Sequence, residues 1–140
     1  QKSPLFALVS CRMIEMSMNY GHCEDSVFGA AAFASALVNV LEDIDEATAW
    51  GRTALSLMKV YDEDVLIPSI YGSLYGIVFL WKEPIQSTLE PLAQGVRIAF
   101  ATGNVEFAMV NTLYYIARSF NCGKNIGVLL EEVQALASQH

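Results

Sequence analysis

Charge is absent from two helix-length stretches of this chain, residues 27–41 and 66–81, and a third, 105–120, carries only Glu106 and Arg118. Each is followed by a stretch that is apolar on one side and polar on the other: 45–61, 84–102 and 126–137. A helix without a polar stripe has to be covered on several sides, whereas an amphipathic helix needs cover on one. Alternation of the two kinds points to a stacked array, with uncharged helices sandwiched and amphipathic helices outside. Composition agrees with this: 54% of residues are hydrophobic and only 16% are charged, well below the usual quarter. Such a surplus demands helices buried on more than one face, a partner that covers them, or a membrane.

Stop signals divide the chain into about seven helices. The first runs from Pro4 to about Tyr20, with Leu5, Leu8, Val9, Met13, Met16 and Tyr20 at helical spacing; Pro4 suits its first turn and Gly21 its end. Asp25 or Ser26 can cap the second helix. The acidic turn Glu42-Asp43 leads into the third, which has Asp45 and Glu46 at its start and Lys59 near its end, as the helix dipole prefers. After Asp62-Glu63-Asp64, Pro68 fits the first turn of the fourth, where Gly72 and Gly76 share a face that lets another helix come close. In LWKEPIQSTLEPL (80–92) that helix ends, Pro84 breaks the chain and a fifth begins, its regular part bent or delayed by Pro91. Gly103-Asn104 closes the fifth, and the sixth presents Phe107, Val110, Leu113, Tyr114 and Ala117. Asn121-Cys122-Gly123-Lys124 precedes the seventh, whose buried side is Leu129, Leu130, Val133, Leu136 and Ala137. The β-prone Leu66-Ile67 and Ile77-Val78-Phe79 lie inside helix-length runs. The reading is all-α, a single domain over 1–140.

Sliding the sequence on itself gives a period of about 41 residues, within the range of helical arrays. Ile44, Ile85 and Ile126 fall in register, as do Gly51, Leu92 and Val133, and then Ala54, Gly95 and Leu136. In the uncharged helices, Phe33, Leu74 and Tyr115 align, as do Val38, Phe79 and Phe120. The expected architecture is an α-solenoid of antiparallel helices in tetratricopeptide-like pairs, each completing its neighbour's core.

The remaining features exclude more than they propose. Net charge is −7 and the eight basic residues are scattered singly, so no cationic stripe is present to grip nucleic acid. Cys11, Cys23 and Cys122 are odd in number and form no C-x-x-C pair; free, mostly buried thiols in a reducing, intracellular compartment are expected. Residues 65–81, roughly 17 without a charge, sit at the lower limit of a membrane span. The repeat register accounts for the same apolarity and the acidic turns supply no basic flank, which disfavours insertion. The turn His22-Cys23-Glu24-Asp25 packs four potential ligands together, yet soft-metal sites draw on separated pairs, and only Cys122 and His140 could add to it. A solvated turn with a helix cap is the reading adopted, with no metal and no cofactor. No nucleophile motif accompanies the Ser, His and acidic residues, and Gly123-Lys124 lacks the glycines of a phosphate loop. No catalytic group is expected.

The runs Leu80-Trp81-Lys82-Glu83-Pro84, Thr88-Leu89-Glu90-Pro91-Leu92 and Ala101-Thr102-Gly103-Asn104-Val105-Glu106-Phe107-Ala108 closely resemble the helical-repeat region of large multidomain signalling proteins. Those proteins join a predicted ATPase to a Ser/Thr-kinase-like domain, a tetratricopeptide-like region, a GAF sensor and often a histidine kinase or cyclase output. The resemblance extends to Met18-Asn19-Tyr20-Gly21, to Gly51, Ala54 and Leu55, and to Gly123-Lys124, as spaced landmarks over most of the chain. Asn104 stands where the family has Asp, and Gly127-Val128 departs from its pattern. The resemblance implies a fragment of a larger protein.

In a solenoid the inner helices line any recognition surface. The candidate partner-binding residues are Tyr71 and Tyr75 on the fourth helix and Asn111, Tyr114, Tyr115 and Arg118 on the sixth, because tyrosine and arginine most often anchor partners. Tyr75 and Tyr115 also align with core positions. Arg118, unexpected on an apolar helix, is expected to reach an acidic turn or take an anionic ligand. Trp81 is expected to plug the junction between successive hairpins, Pro84 and Pro91 to fix the chain's turn, and Gly103 to end a helix. The resulting expectation is a non-enzymatic module for protein–protein or interdomain interaction in a signalling protein. The alternative is a small structural subunit of a larger complex, organellar or membrane-associated.

Overall fold

The computed structural model describes residues 4–61 and 64–138; Asp62, Glu63 and His140 lie outside them. Seven α-helices follow one another among these residues: α1 (Pro4–Tyr20), α2 (Glu24–Ala36), α3 (Ile44–Tyr61), α4 (Ile67–Ser73), α5 (Leu89–Ala101), α6 (Val105–Asn121) and α7 (Ile126–Ser138). Packing is sequential, α1 on α2, α2 on α3, α4 on α5, α5 on α6 and α6 on α7. α2 also touches α4, and α4 touches α6, so the charge-poor helices are joined in series with α4 in the middle.

Burial follows the repeat register in three of its five sets and departs from it in two: Ile126, aligned with half-buried Ile44 and Ile85, is 69% exposed, and Phe120, aligned with buried Val38 and Phe79, is 62% exposed. Ala54, Gly95 and Leu136 are all buried, Gly51 and Leu92 are buried with Val133 half-buried, and Leu74 and Tyr115 are buried with Phe33 half-buried. One core cluster joins Val27, Ala30 and Ala34 of α2 to Ile70 and Leu74; a second joins Leu92 and Val96 to Tyr115, Leu129 and Leu136. Tyr75 packs against both.

The helix ends depart from expectation. α2 starts earlier than predicted, with Cys23 as its cap: the Cys23 N–H donates to the Ser26 hydroxyl at 2.9 Å, and Ser26 shares a 2.8 Å bond with Ser17 of α1. Both α2 and α4 then widen into π-helical turns, Leu37–Leu41 and Leu74–Val78. The first closes on Glu42 in a left-handed conformation (φ 57°). The second runs into a 3-10 turn, Phe79–Trp81.

The second widening corrects the role assigned to Trp81. In an unbroken α-helix Ile70, Leu74, Ile77 and Trp81 share a face, and Trp81 would plug the junction. A π-helical turn inserts about one residue and rotates all later side chains of the helix by about 100°. Phe79 is therefore wholly buried, its ring against Gly51, and Trp81 stands 60% exposed. The thiols are free as expected but not mostly buried: Cys11 and Cys23 are exposed and Cys122 is half-buried.

The chain between α4 and α5 is fastened to α3 by two ion pairs, Lys82 with Asp45 and Glu83 with Arg52, and the Arg52 guanidinium lies 4.6 Å from the Phe79 ring centre. Pro84 is extended (ψ 134°), and a 3-10 turn, Ile85–Thr88, precedes α5, which holds Pro91 in its first turn. The regular helix is thus delayed, as Pro91 led one to expect. Gly103 ends α5 with φ 73°, a conformation costly for any side chain.

Candidate partner-binding surface

Three of the proposed partner-binding residues meet at the seam between α4 and α6. Asn111 is wholly buried; its amide donates to the carbonyls of Pro68 and Phe107, both at 2.8 Å. Gly72 and Gly95 lie against its side chain, and its Oδ1 is buried without a hydrogen-bond partner. Tyr114 lays its ring on Gly76, where an added Cβ would stand 2.4 Å from a ring carbon. Among the described residues Arg118 pairs with no carboxylate: its Nη2 donates to the Gly76 carbonyl at 2.7 Å, and its Nε is buried and unpaired. These side chains join one charge-poor helix to the next. A partner at the surface meets no atom of the Asn111 side chain.

Tyr71 lies elsewhere on α4 and Tyr75 in the π-helical turn that follows it. Their rings meet edge to face at 5.2 Å, and Tyr75 meets Phe79 in the same way at 5.1 Å, a ladder of aromatic residues four apart. Burial raises the pKa of both phenols; for Tyr75 the nearby Tyr71 raises it further and Arg52 opposes the rise. Tyr115 serves α7: its hydroxyl donates to Glu132 at 2.8 Å, and Lys124 donates to Glu132 at 2.7 Å and to the Tyr115 oxygen at 3.3 Å. Burial, then the Glu132 bond, raise the Tyr115 pKa against the pull of Lys124. The Lys124 bond, then the Tyr115 bond, lower that of Glu132.

What the sequence reading missed is a stripe of apolar side chains in solvent. Met109 and Leu113 of α6 are each 66% exposed, and Ile116 shares their side. They border a groove of about 300 Å³ completed by Phe100, Val133 and Ala137. Leu5 and Leu8 on α1 are comparably bare. The sequence places Leu113 on an apolar helix face, but periodicity does not say which apolar side chains a neighbouring helix covers. A larger groove, about 500 Å³, lies between the end of α1 and the start of α2, with Met13, Met16 and Tyr20 on one side and His22, Cys23 and Asp25 on the other. Among the described residues no three His, Cys, Asp or Glu side chains are placed to share a metal ion. Two stretches, Glu24–Leu41 and Asp64–Trp81, are long and apolar enough to cross a membrane; 61% of the first and 39% of the second is buried in the fold.

The geometry defines a class, an all-helical domain with sequential helix packing and bare apolar faces on α1 and α6. Set beside protein-family models, curated proteins and solved structures, the chain matches none of them.

Proposed function

We propose that this chain is a non-enzymatic helical-repeat module, an α-solenoid of tetratricopeptide-like pairs, that binds a protein partner or another domain of its own polypeptide. The observation that carries this reading is the apolar stripe of Met109, Leu113 and Ile116 beside its groove. Apolar side chains held in water are a standing cost that a docked surface removes, at about 25 cal/mol per Å² covered. Asn111 and Arg118 hold helix to helix and so support the stacking of the array rather than the contact with a partner. The landmarks of 80–92 and 101–108 suggest the setting, an intracellular signalling protein of the ATPase and kinase-like type. Exposed, unpaired Cys11 and Cys23 suit a reducing compartment.

A second reading, a structural subunit of a larger complex, draws on the bare face of α1, where Leu5 and Leu8 are 65% and 66% exposed. The two readings separate in one experiment. The native polypeptide is isolated from its source without denaturation, and its mass and bound proteins are measured by mass spectrometry. A mass several times 15.4 kDa is expected of a module. A mass near that value with stoichiometric neighbours selects the subunit. A lone monomer of that mass with nothing bound overturns both.

A further inference from the structure

One face of the inner layer repeats three times, and it is covered only twice. On α2 the positions are Val27, Ala31 and Ser35, at most 4% exposed. One period on, Pro68, Gly72 and Gly76 are buried, with α6 placing Asn111 and Tyr114 directly against the two glycines. A further period on, the residues are Met109, Leu113 and Ala117, all exposed, the first two at 66%. The adjoining groove repeats as well. Its wall residues Val133 and Ala137 correspond to Leu92 and Val96, which are wholly buried and packed with Tyr115 of α6. Where the occupant of this seat is defined, on Gly72 and Gly76, it is the charge-poor helix of the next two-helix unit, α6.

We propose that the α6 face is the seat of one further two-helix unit of this repeat, carried by the same polypeptide, whose charge-poor helix lies on Met109, Leu113 and Ala117 as α6 lies on Pro68, Gly72 and Gly76. The inference rests on the interaction-module reading and specifies its partner. Leu113 and Ala117 replace two glycines, so the incoming helix is set farther out than α6 is from α4, and the side chains it turns to this face are apolar. An aromatic or branched side chain one period after Tyr115 fills the groove. A second copy of this chain fits the seat less well. Its own bare helix at the other end, α1, belongs to the outer layer by register, since Ser10 aligns with Gly51 and Leu92 and is buried as they are.

The test uses the native polypeptide with the photoreactive residue p-benzoylphenylalanine placed at Leu113, and at exposed Glu131 as control. After irradiation the cross-linked peptides are identified by mass spectrometry. Expected is a cross-link from position 113, absent from 131, to a peptide of the same polypeptide outside residues 1–140 that is charge-free over at least two helical turns. A cross-link to a second copy or to a different protein overturns this inference and leaves the interaction-module reading standing. No cross-link beyond the control overturns both.

Discussion

Gly76 sets how near α6 lies to α4. A methyl group there meets the Tyr114 ring at 2.4 Å, so Gly76→Ala is expected to cost about 1–3 kcal/mol, read as a lowered urea midpoint. Phe79 and Trp81 form a matched pair of probes. Phe79→Ala empties a wholly buried site and should cost about 3–5 kcal/mol, whereas Trp81→Ala removes a side chain 60% exposed and should cost about 1 kcal/mol or less. Equal melting temperatures for the two variants would contradict the rotation of the helix after Leu74. Glu42, left-handed at the end of the first widened turn, gives the opposite sign. Glu42→Gly relieves a side chain from that conformation and should raise stability by about 1 kcal/mol in the same denaturation experiment.

At the scale of elements, α7 is held by few groups: Leu129 and Leu136 are its buried residues, and Tyr115, Lys124 and Glu132 fasten it to α6. The Glu132 carboxylate titrates below its ordinary range, so its contribution is present above that range and fades as pH falls through the lowered value. The Lys124 and Tyr115 pKa values are raised, so theirs is present below the ordinary ranges and fades as pH rises through the raised values. The lysine and carboxylate are partly exposed, and salt weakens the pair. Thermal melts across pH should show a plateau with shallow falls at both ends, and Glu132→Gln should flatten the acid side. The helices themselves were legible from periodicity, and the breaks at Gly21, Pro84 and Gly103 from residue chemistry. The widened turns were not, because one inserted residue leaves composition unchanged while moving every later side chain to a new face. The partners of Asn111 and Arg118 were hidden for another reason: Pro68 and Gly76 lie 43 and 42 residues earlier, and their carbonyls carry no side-chain signature.

Over the whole molecule stability is expected to be uneven. α2, α4 and the π-helical turn after α4 share the wholly buried Val27, Ala30, Ile70 and Leu74, whereas α1 buries Ser10 alone among its described residues. Native-state hydrogen exchange should find the slowest amides in α2 and α4, and amides in α1 and α7 opening at much lower free energy; uniform protection would show one cooperative block. The layering also bears on how the chain is made. The apolar stretch Glu24–Leu41 is covered partly by α4, which is synthesised about 40 residues later. At about 5–20 residues per second that is a delay of roughly 2–8 s. For that interval a nascent chain presents an 18-residue apolar helix without its later cover, and whatever surveys emerging polypeptides for such helices has first access to it.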